Sequence, residues 1–247
     1  VGDELNDEVV TKIGRAMADW LPNDGAVAVG CDMRPDSRRF ALAMINGLKQ
    51  QGREVWDIGE VTTDMIYFTV GHNDLAGGAM ITASHNPGDY NGIKLCREQA
   101  RPIGEETGLF EIRDLVIAND FTAAKTPGVV LGKDMVEAWI DHALSFIDTE
   151  NLRPIKLVVD AGNGMAGKIF PDLEPYVPFK VTEMYFDLDG TFPNHIANPL
   201  EPKNLKDLIT VVRAEKADVG LAFDGDGDRA VLVDEKGQPL SGTVMTA

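Results

Sequence analysis

Apolar positions along the chain recur at two periods. Over residues 6–21, Val9, Val10, Ile13, Met17, Trp20 and Leu21 fall at helical spacing, and AVAVG (26–30) is a short continuous apolar run, the pattern of a buried strand. The succession continues with a helical period over 38–51 (Phe40, Ala43, Met44, Gly47 and Leu48 on one side), a strand in EVWDIG, a helix over 63–73, strands in GGAMITA (77–83) and GIKLC (92–96), and a helix over 105–118. A second series predicts a helix over 133–147, strands in IKLVVDAG (155–162) and FKVTEMYF, a helix over 202–216, and strands in DVGLAF (218–223) and RAVLVDE (229–235). Strands separated by helical stretches argue for βαβ units and largely parallel sheets. NDFTAAKTPGVVLG (119–132) has no clear period. The expectation is therefore an α/β protein of two similar α/β/α domains with mainly parallel mixed sheets, spanning 1–124 and 125–247.

The two series echo each other. Each ends in a buried strand, a polar loop and a short second strand: GGAMI, TASHNPGDYN, GIKLC in the first, and DVGLAF, DGDGD, RAVLV in the second. Open α/β sheets carry their chemistry at the carboxyl ends of strands, where both loops lie. The domains are expected to face each other across a shared site.

Charge narrows the partners. The 247 residues hold 40 acidic and 23 basic side chains, a formal net charge of −17. Such a surface repels phosphate backbones and anionic lipid, which argues against nucleic-acid and membrane partners. An anionic small substrate then needs a metal or local positive charge. Cys31 and Cys96 have no metal-ligand spacing and form no disulfide framework, which predicts free thiols in a reducing cytoplasm. The acidic start, VGDELNDEVV, lacks the features of a signal peptide, and no apolar run approaches the roughly 18 residues of a membrane span. Beginning at Val and ending at GTVMTA, the chain reads as a piece of a longer one.

DGDGDR carries the sharpest chemistry. Asp224, Asp226 and Asp228 alternate with glycines directly after an apolar strand. In extended backbone such residues point to one side, and three converging carboxylates call for a cation. Glycines let the backbone bend towards one ion, and hard oxygen ligands favour Mg²⁺, Mn²⁺ or Ca²⁺. With Glu235 the spacing also fits an EF-hand, but Arg229 occupies the obligatory glycine position and the flanks read as strands. Arg229 beside a metal suits a phosphate oxygen that bridges both.

TASHNPGDYNGIK (82–94) presents Ser84 at a strand end, followed by two turn signals. His85 is adjacent, so in extended backbone the two side chains diverge, which argues against a hydrolase-type dyad. Lys94 could meet a phosphate or act as an acid or base. A hydroxyl with His and Lys in one loop, and a metal cage with Arg in the other, together describe phosphoryl transfer. Arg34, in the loop CDMRPDS, could reach that site or cap a helix, and His195 in FPNHIANP reads as structural. GNGMAGKI (162–169) matches both GxGxxG and most of a Walker pattern, but Ile169 stands where a Mg²⁺-binding hydroxyl is required. A tight strand-to-helix turn needs the same glycines.

TASHNPGDYNGIK and DGDGDR, in that order, resemble the α-D-phosphohexomutase superfamily. ARPIGEETGL and FPNHIANP make the chain similar to its bacterial phosphomannomutase/phosphoglucomutase branch. The resemblance implies a phosphoglucomutase-like fold. It implies that Ser84 carries the catalytic phosphate, that Asp224, Asp226 and Asp228 bind Mg²⁺ with the phosphoserine oxygen as a further ligand, and that Arg229 steadies the phosphate. Lys94 falls at the position implicated in acid–base work, and His85 lies by the phosphoryl group. The implied reaction interconverts hexose 6-phosphate and hexose 1-phosphate, mannose foremost and glucose also, through a bound hexose 1,6-bisphosphate that doubles as activator. Family members have four domains, so the partners include the C-terminal domains of the same enzyme, and the 247-residue chain alone is expected to show little or no turnover. Two other readings stay open at this point: a non-catalytic metal-binding module, and a dinucleotide oxidoreductase.

Overall fold

Apolar strands with both faces covered organise the sheets. A computed structural model describes residues 1, 2 and 4–242. It has two units, Val1–Ala83 with Asp89–Met135, and Ser84–Gly88 with the chain from Val136.

The first unit contains α1 (Asp7–Trp20), β1 (Val27–Cys31), α2 (Ser37–Gln50), β2 (Val55–Glu60), α3 (Thr63–His72), β3 (Gly77–Ile81), β4 (Ile93–Arg97), β5 (Arg101–Pro102), α4 (Leu109–Ala118) and β6 (Val130–Gly132). Its sheet runs β5-β4-β3-β1-β2-β6. β1 pairs in parallel with β2 and β3, and β2 with β6, while β4 runs antiparallel to β3 and β5. The two-residue side-chain period of strands splits this sheet cleanly. Val27, Val29, Cys31, Ala79 and Ile81 enter one core with Met17 of α1, Phe40, Met44 and Leu48 of α2, and Ile112 of α4. On the opposite face, α3 presses so close that a Cβ at Gly78 would lie 2.8 Å from both Ile66 and Val70. Gly78 is thus the seat of α3, whereas a Cβ at Gly77 would stand 2.6 Å from the Cys96 carbonyl oxygen. Cys31 and Cys96 are buried and free, and burial pushes both thiols up to about 12, so they stay protonated at neutral pH.

α1 begins on Asn6, whose side chain accepts from the Val9 N–H. At its other end the buried Arg53 donates to the Ala18 and Leu21 carbonyls, which the helix end leaves unmet, and to the Asn23 carbonyl just beyond. Arg53→Met keeps the volume and removes the donors. It is expected to cost about 2 kcal/mol, since buried carbonyls lose their partners. Thermal denaturation checks this, with no loss as the contrary result.

The second unit contains α5 (Val136–Leu144), β7 (Lys156–Asp160), α6 (Ala166–Leu173), β8 (Lys180–Met184), α7 (Lys206–Glu215), β9 (Val219–Phe223) and β10 (Ala230–Asp234). Its sheet runs β10-β9-β7-β8, with β7 parallel to β8 and β9, and β10 antiparallel to β9. Leu208 and Val212 of α7 pack on Val158, Ala222, Val231 and Val233. Phe170 of α6 meets Phe186 and Phe223.

The echo in sequence is an echo in topology. The order β4-β3-β1-β2 in the first unit matches β10-β9-β7-β8 in the second, each beginning with an antiparallel pair. The Ser84 loop joins the first such pair and the aspartate loop joins the second. Residues 125–135, grouped with the second domain in the sequence reading, belong to the first unit, because β6 extends its sheet along β2. Among the described residues, no helix is long and apolar enough to cross a membrane.

Candidate active site

The turn after β9 folds three carboxylates onto one point. The Gly227 N–H donates to the Asp224 carbonyl at 3.1 Å, and Gly227 adopts φ +75°, a conformation glycine enters without steric cost. One carboxylate oxygen from each of Asp224, Asp226 and Asp228 lies within 4.8 Å of the others. Asp224 and Asp226 are fully buried, and Asp228 is exposed. Burial, and then the charge of Asp226, push the Asp224 carboxyl up to about 7. A hard divalent cation fits this cluster: its donors are all oxygen, and its charge relieves both causes of the shift.

Ser84 belongs to the same unit. Its Oγ donates to Asp224 Oδ2 at 2.8 Å, and the residue is buried with φ +52°. Left-handed backbone at a non-glycine residue costs of order 1 kcal/mol and persists where its surroundings hold it. The contact depends on Gly225, where a Cβ would stand 2.5 Å from the Ser84 carbonyl oxygen. Gly225 is itself supported from behind, since its carbonyl accepts from the Met165 N–H at 2.9 Å, and a Cβ at Gly164 would lie 2.8 Å from that oxygen. The glycine-rich turn after β7 therefore serves as a backing for the aspartate loop.

Arg229 closes the cluster. Its backbone N–H donates to Asp224 Oδ1 at 3.0 Å, and its Nε lies 3.9 Å from both Asp224 Oδ2 and Asp228 Oδ1. Its terminal nitrogen lies 3.0 Å from His85 Nδ1. Guanidinium only donates, so Nδ1 accepts, and this contact requires a neutral imidazole protonated on Nε2. The divergence expected for extended backbone does not apply, because Ser84 is left-handed: Ser84 bonds Asp224 and His85 meets Arg229, whose guanidinium borders the same carboxylate.

The remaining candidates lie in the first unit. Lys94 on β4 places Nζ 3.4 Å from Thr63 Oγ1. Arg34 is buried, with Nε 3.0 Å from Asp32 Oδ2 and a terminal nitrogen donating to the Tyr90 carbonyl at 3.1 Å. Asp32, in the same polar loop as Arg34, and Thr82, at the head of the Ser84 loop, received no role from sequence, yet the Thr82 hydroxyl donates to Asp32 at 2.7 Å. The only signal for them was polar residues placed directly at the ends of buried strands.

His195 is structural in its contacts. Its ring nitrogens face acceptors on both sides, Asp160 Oδ2 and the Ile196 carbonyl, each at 3.0 Å. Two acceptors demand two protons, and the Asp160 hydrogen bond, working against burial, raises the His195 pKa above its ordinary value of 6.5. A raised folded-state pKa gives stabilisation that is fully present below the unfolded value and fades as pH rises through the folded one. The melting-temperature advantage of wild type over His195→Gln is therefore expected to be largest below pH 6.5 and to shrink as pH rises. A pH-independent difference in thermal denaturation would contradict this.

Family models for phosphoglucomutase/phosphomannomutase alpha/beta/alpha domains I and II match residues 1–123 and 137–237. Phosphohexose mutases of Xanthomonas campestris are 45% identical over 242 residues, covering 98% of this chain and 54% of the relative. A phosphomannomutase of Salmonella typhimurium is 43% identical over 249 residues, with the same shares covered. The chain thus spans about half the length of the curated relatives it matches. The crystal structure of a phosphoglucomutase/phosphomannomutase family protein from Burkholderia thailandensis aligns with TM-score 0.88 and 32% identity, over 97% of this chain and 53% of that one. A phosphoglucomutase from Paramecium shares the fold at TM-score 0.72 and 17% identity, over 93% of this chain and 50% of its own. Strand order, the two loops and these matches agree that the chain belongs to the phosphoglucomutase/phosphomannomutase family and comprises its domains I and II.

Proposed function

We propose that the chain forms the phosphoryl-transfer part of a phosphohexomutase site, with Ser84 as the residue that carries the phosphoryl group. The observation that supports this most directly is the Ser84 hydroxyl, held in left-handed backbone and donating to Asp224 within the three-carboxylate cluster. In the forward half-reaction, a free hydroxyl of a hexose phosphate attacks the phosphorus of phosphorylated Ser84. The P–Oγ bond breaks, leaving serine and a hexose 1,6-bisphosphate. The bisphosphate turns around, and Ser84 Oγ takes its other phosphoryl group, releasing the isomeric hexose monophosphate.

Asp224, Asp226 and Asp228 would hold Mg²⁺, which when bound offsets the negative charge gathered on the phosphoryl oxygens. Arg229 donates to those oxygens, its guanidinium steadied by His85. The family resemblance assigns acid–base work on the sugar hydroxyl to Lys94. Mannose phosphates are the first substrates to try, since relatives bear the name phosphomannomutase, and glucose phosphates the second.

The test is phosphopeptide mass spectrometry of the chain incubated with glucose 1,6-bisphosphate and Mg²⁺. Phosphate is expected on Ser84, and none on the corresponding peptide of Ser84→Ala. No incorporation, together with Mg²⁺-dependent thermal stabilisation that Ser84→Ala leaves intact, would favour a non-catalytic metal-binding module. Spanning about half the length of its relatives, the chain by itself is expected to accept phosphate with little turnover, and rapid conversion of mannose 6-phosphate would overturn that part of the reading.

A further inference from the structure

Asp32 lies just beyond β1 in the first unit and is buried. Its Oδ2 accepts from Thr82 Oγ1 at 2.7 Å and from Arg34 Nε at 3.0 Å, and its Oδ1 from the Arg34 N–H at 3.1 Å and from Ser37 Oγ. These partners lead to both ends of the segment that carries Ser84. Thr82 precedes Ser84 by two positions. On the returning side, Arg34 donates to the Tyr90 carbonyl at 3.1 Å, and Asn91 Nδ2 donates to Ser37 Oγ at 2.9 Å. The base is closed by the Thr82 N–H on the Gly92 carbonyl at 3.0 Å. Both stems of the loop therefore hang on one carboxylate, while its tip, Ser84–Gly88, belongs to the second unit.

Burying an ion pair is a costly way to join two strands, because desolvation takes back much of the attraction. What such a pair adds over an apolar contact is direction. Charged hydrogen bonds are short and angle-dependent, and a hydroxyl and a guanidinium that share one carboxylate cannot shift independently. Ser84 needs such fixing, since its left-handed backbone relaxes unless both flanks are held.

We infer that Asp32, acting with Arg34 and Ser37, is the positioning residue of the Ser84 loop: it clamps the incoming stem through Thr82 and the outgoing stem through Tyr90 and Asn91. Arg34 then acts on the loop from within the fold. This inference rests on the proposed role of Ser84 as phosphoryl carrier.

Removing Asp32 would take the carboxylate away from a buried Arg34, so Thr82 is the gentler probe. Thr82→Val is nearly isosteric and deletes one hydroxyl, and Thr82→Ser restores it. The maximal rate of Ser84 phosphorylation by glucose 1,6-bisphosphate is expected to fall about tenfold in Thr82→Val, with half-saturation within about twofold of wild type, as for misplacement of a reacting group. Thr82→Ser should recover most of the rate. Amide hydrogen exchange, measured in the same proteins, should speed up in peptides covering 82–92 of Thr82→Val and stay unchanged in β7 and β9. Wild-type phosphorylation in the valine variant, or unaltered exchange over 82–92, overturns the clamp. If wild type takes no phosphate on Ser84, the phosphoryl-carrier reading fails, and the exchange comparison still decides whether Asp32 holds the loop.

Discussion

In the Asp226→Asn chain, Mg²⁺ is expected to lose its stabilising effect, metal-free protein to melt higher than wild type, and Ser84 phosphorylation to fall by about 10²–10³, the usual loss when a preorganised charge is removed from a transfer site. The opposite signs of the two stability effects come from one cause. Without a cation, burial and then repulsion from Asp226 disfavour the Asp224 carboxylate, whose pKa is raised to about 7. Deleting the Asp226 charge relieves that repulsion. With a cation the same charge is attractive, and a bound ligand at a hundred times its dissociation constant stabilises the fold by about 2.7 kcal/mol. During transfer the balance matters more, because three carboxylates and a phosphoserine bring about −5 near neutral pH. A Mg²⁺ titration followed by thermal denaturation, beside the phosphopeptide assay, tests all three arms. Unaltered Mg²⁺ affinity would move the cation away from the cluster.

Much of this organisation could be read from the chain because local pattern and tertiary environment agree. α1, α2 and α7 each bury one apolar stripe, and β1 and β3 are apolar throughout because both faces are covered. DGDGDR was legible because its chemistry is local: three carboxylates one residue apart have few reasons to exist without a cation. β6 was not legible, as three exposed residues in a Pro- and Gly-containing stretch carry no period. α6 went unread because it has eight residues and contains Pro171. Its preceding glycines matched nucleotide-binding patterns, although their reason is the close approach of Gly164 to Gly225, some 60 residues on. Asp32 was the hardest to see. Its place at a strand end marks it only as polar, and its role stays hidden because Thr82 and, through Ser37, Asn91 arrive only when β1 and β3 pair.

Gly225→Ala is expected to slow Ser84 phosphorylation by about 10², the effect of a displacement near 1 Å at a reacting group, and to destabilise the second unit by about 1–3 kcal/mol, as overpacking does. The added methyl would stand 2.5 Å from the Ser84 carbonyl oxygen and 3.4 Å from the Phe192 ring. The ring end could shift by tenths of an ångström. The carbonyl cannot move without carrying Ser84 with it, because it is backbone of the residue whose Oγ donates to Asp224. Retreat of the aspartate loop is opposed from behind by Gly164 and by the Met165 hydrogen bond to the Gly225 carbonyl. Gly132→Ala, where a Cβ meets nothing within 4 Å, is the matched control and should change neither readout. Phosphopeptide rates and thermal denaturation on the two variants separate the effects. Normal phosphorylation in Gly225→Ala would mean that the serine reaches its reactive position without resting on the aspartate loop, and the hydroxyl-to-Asp224 contact would then lose its claim to organise the transfer.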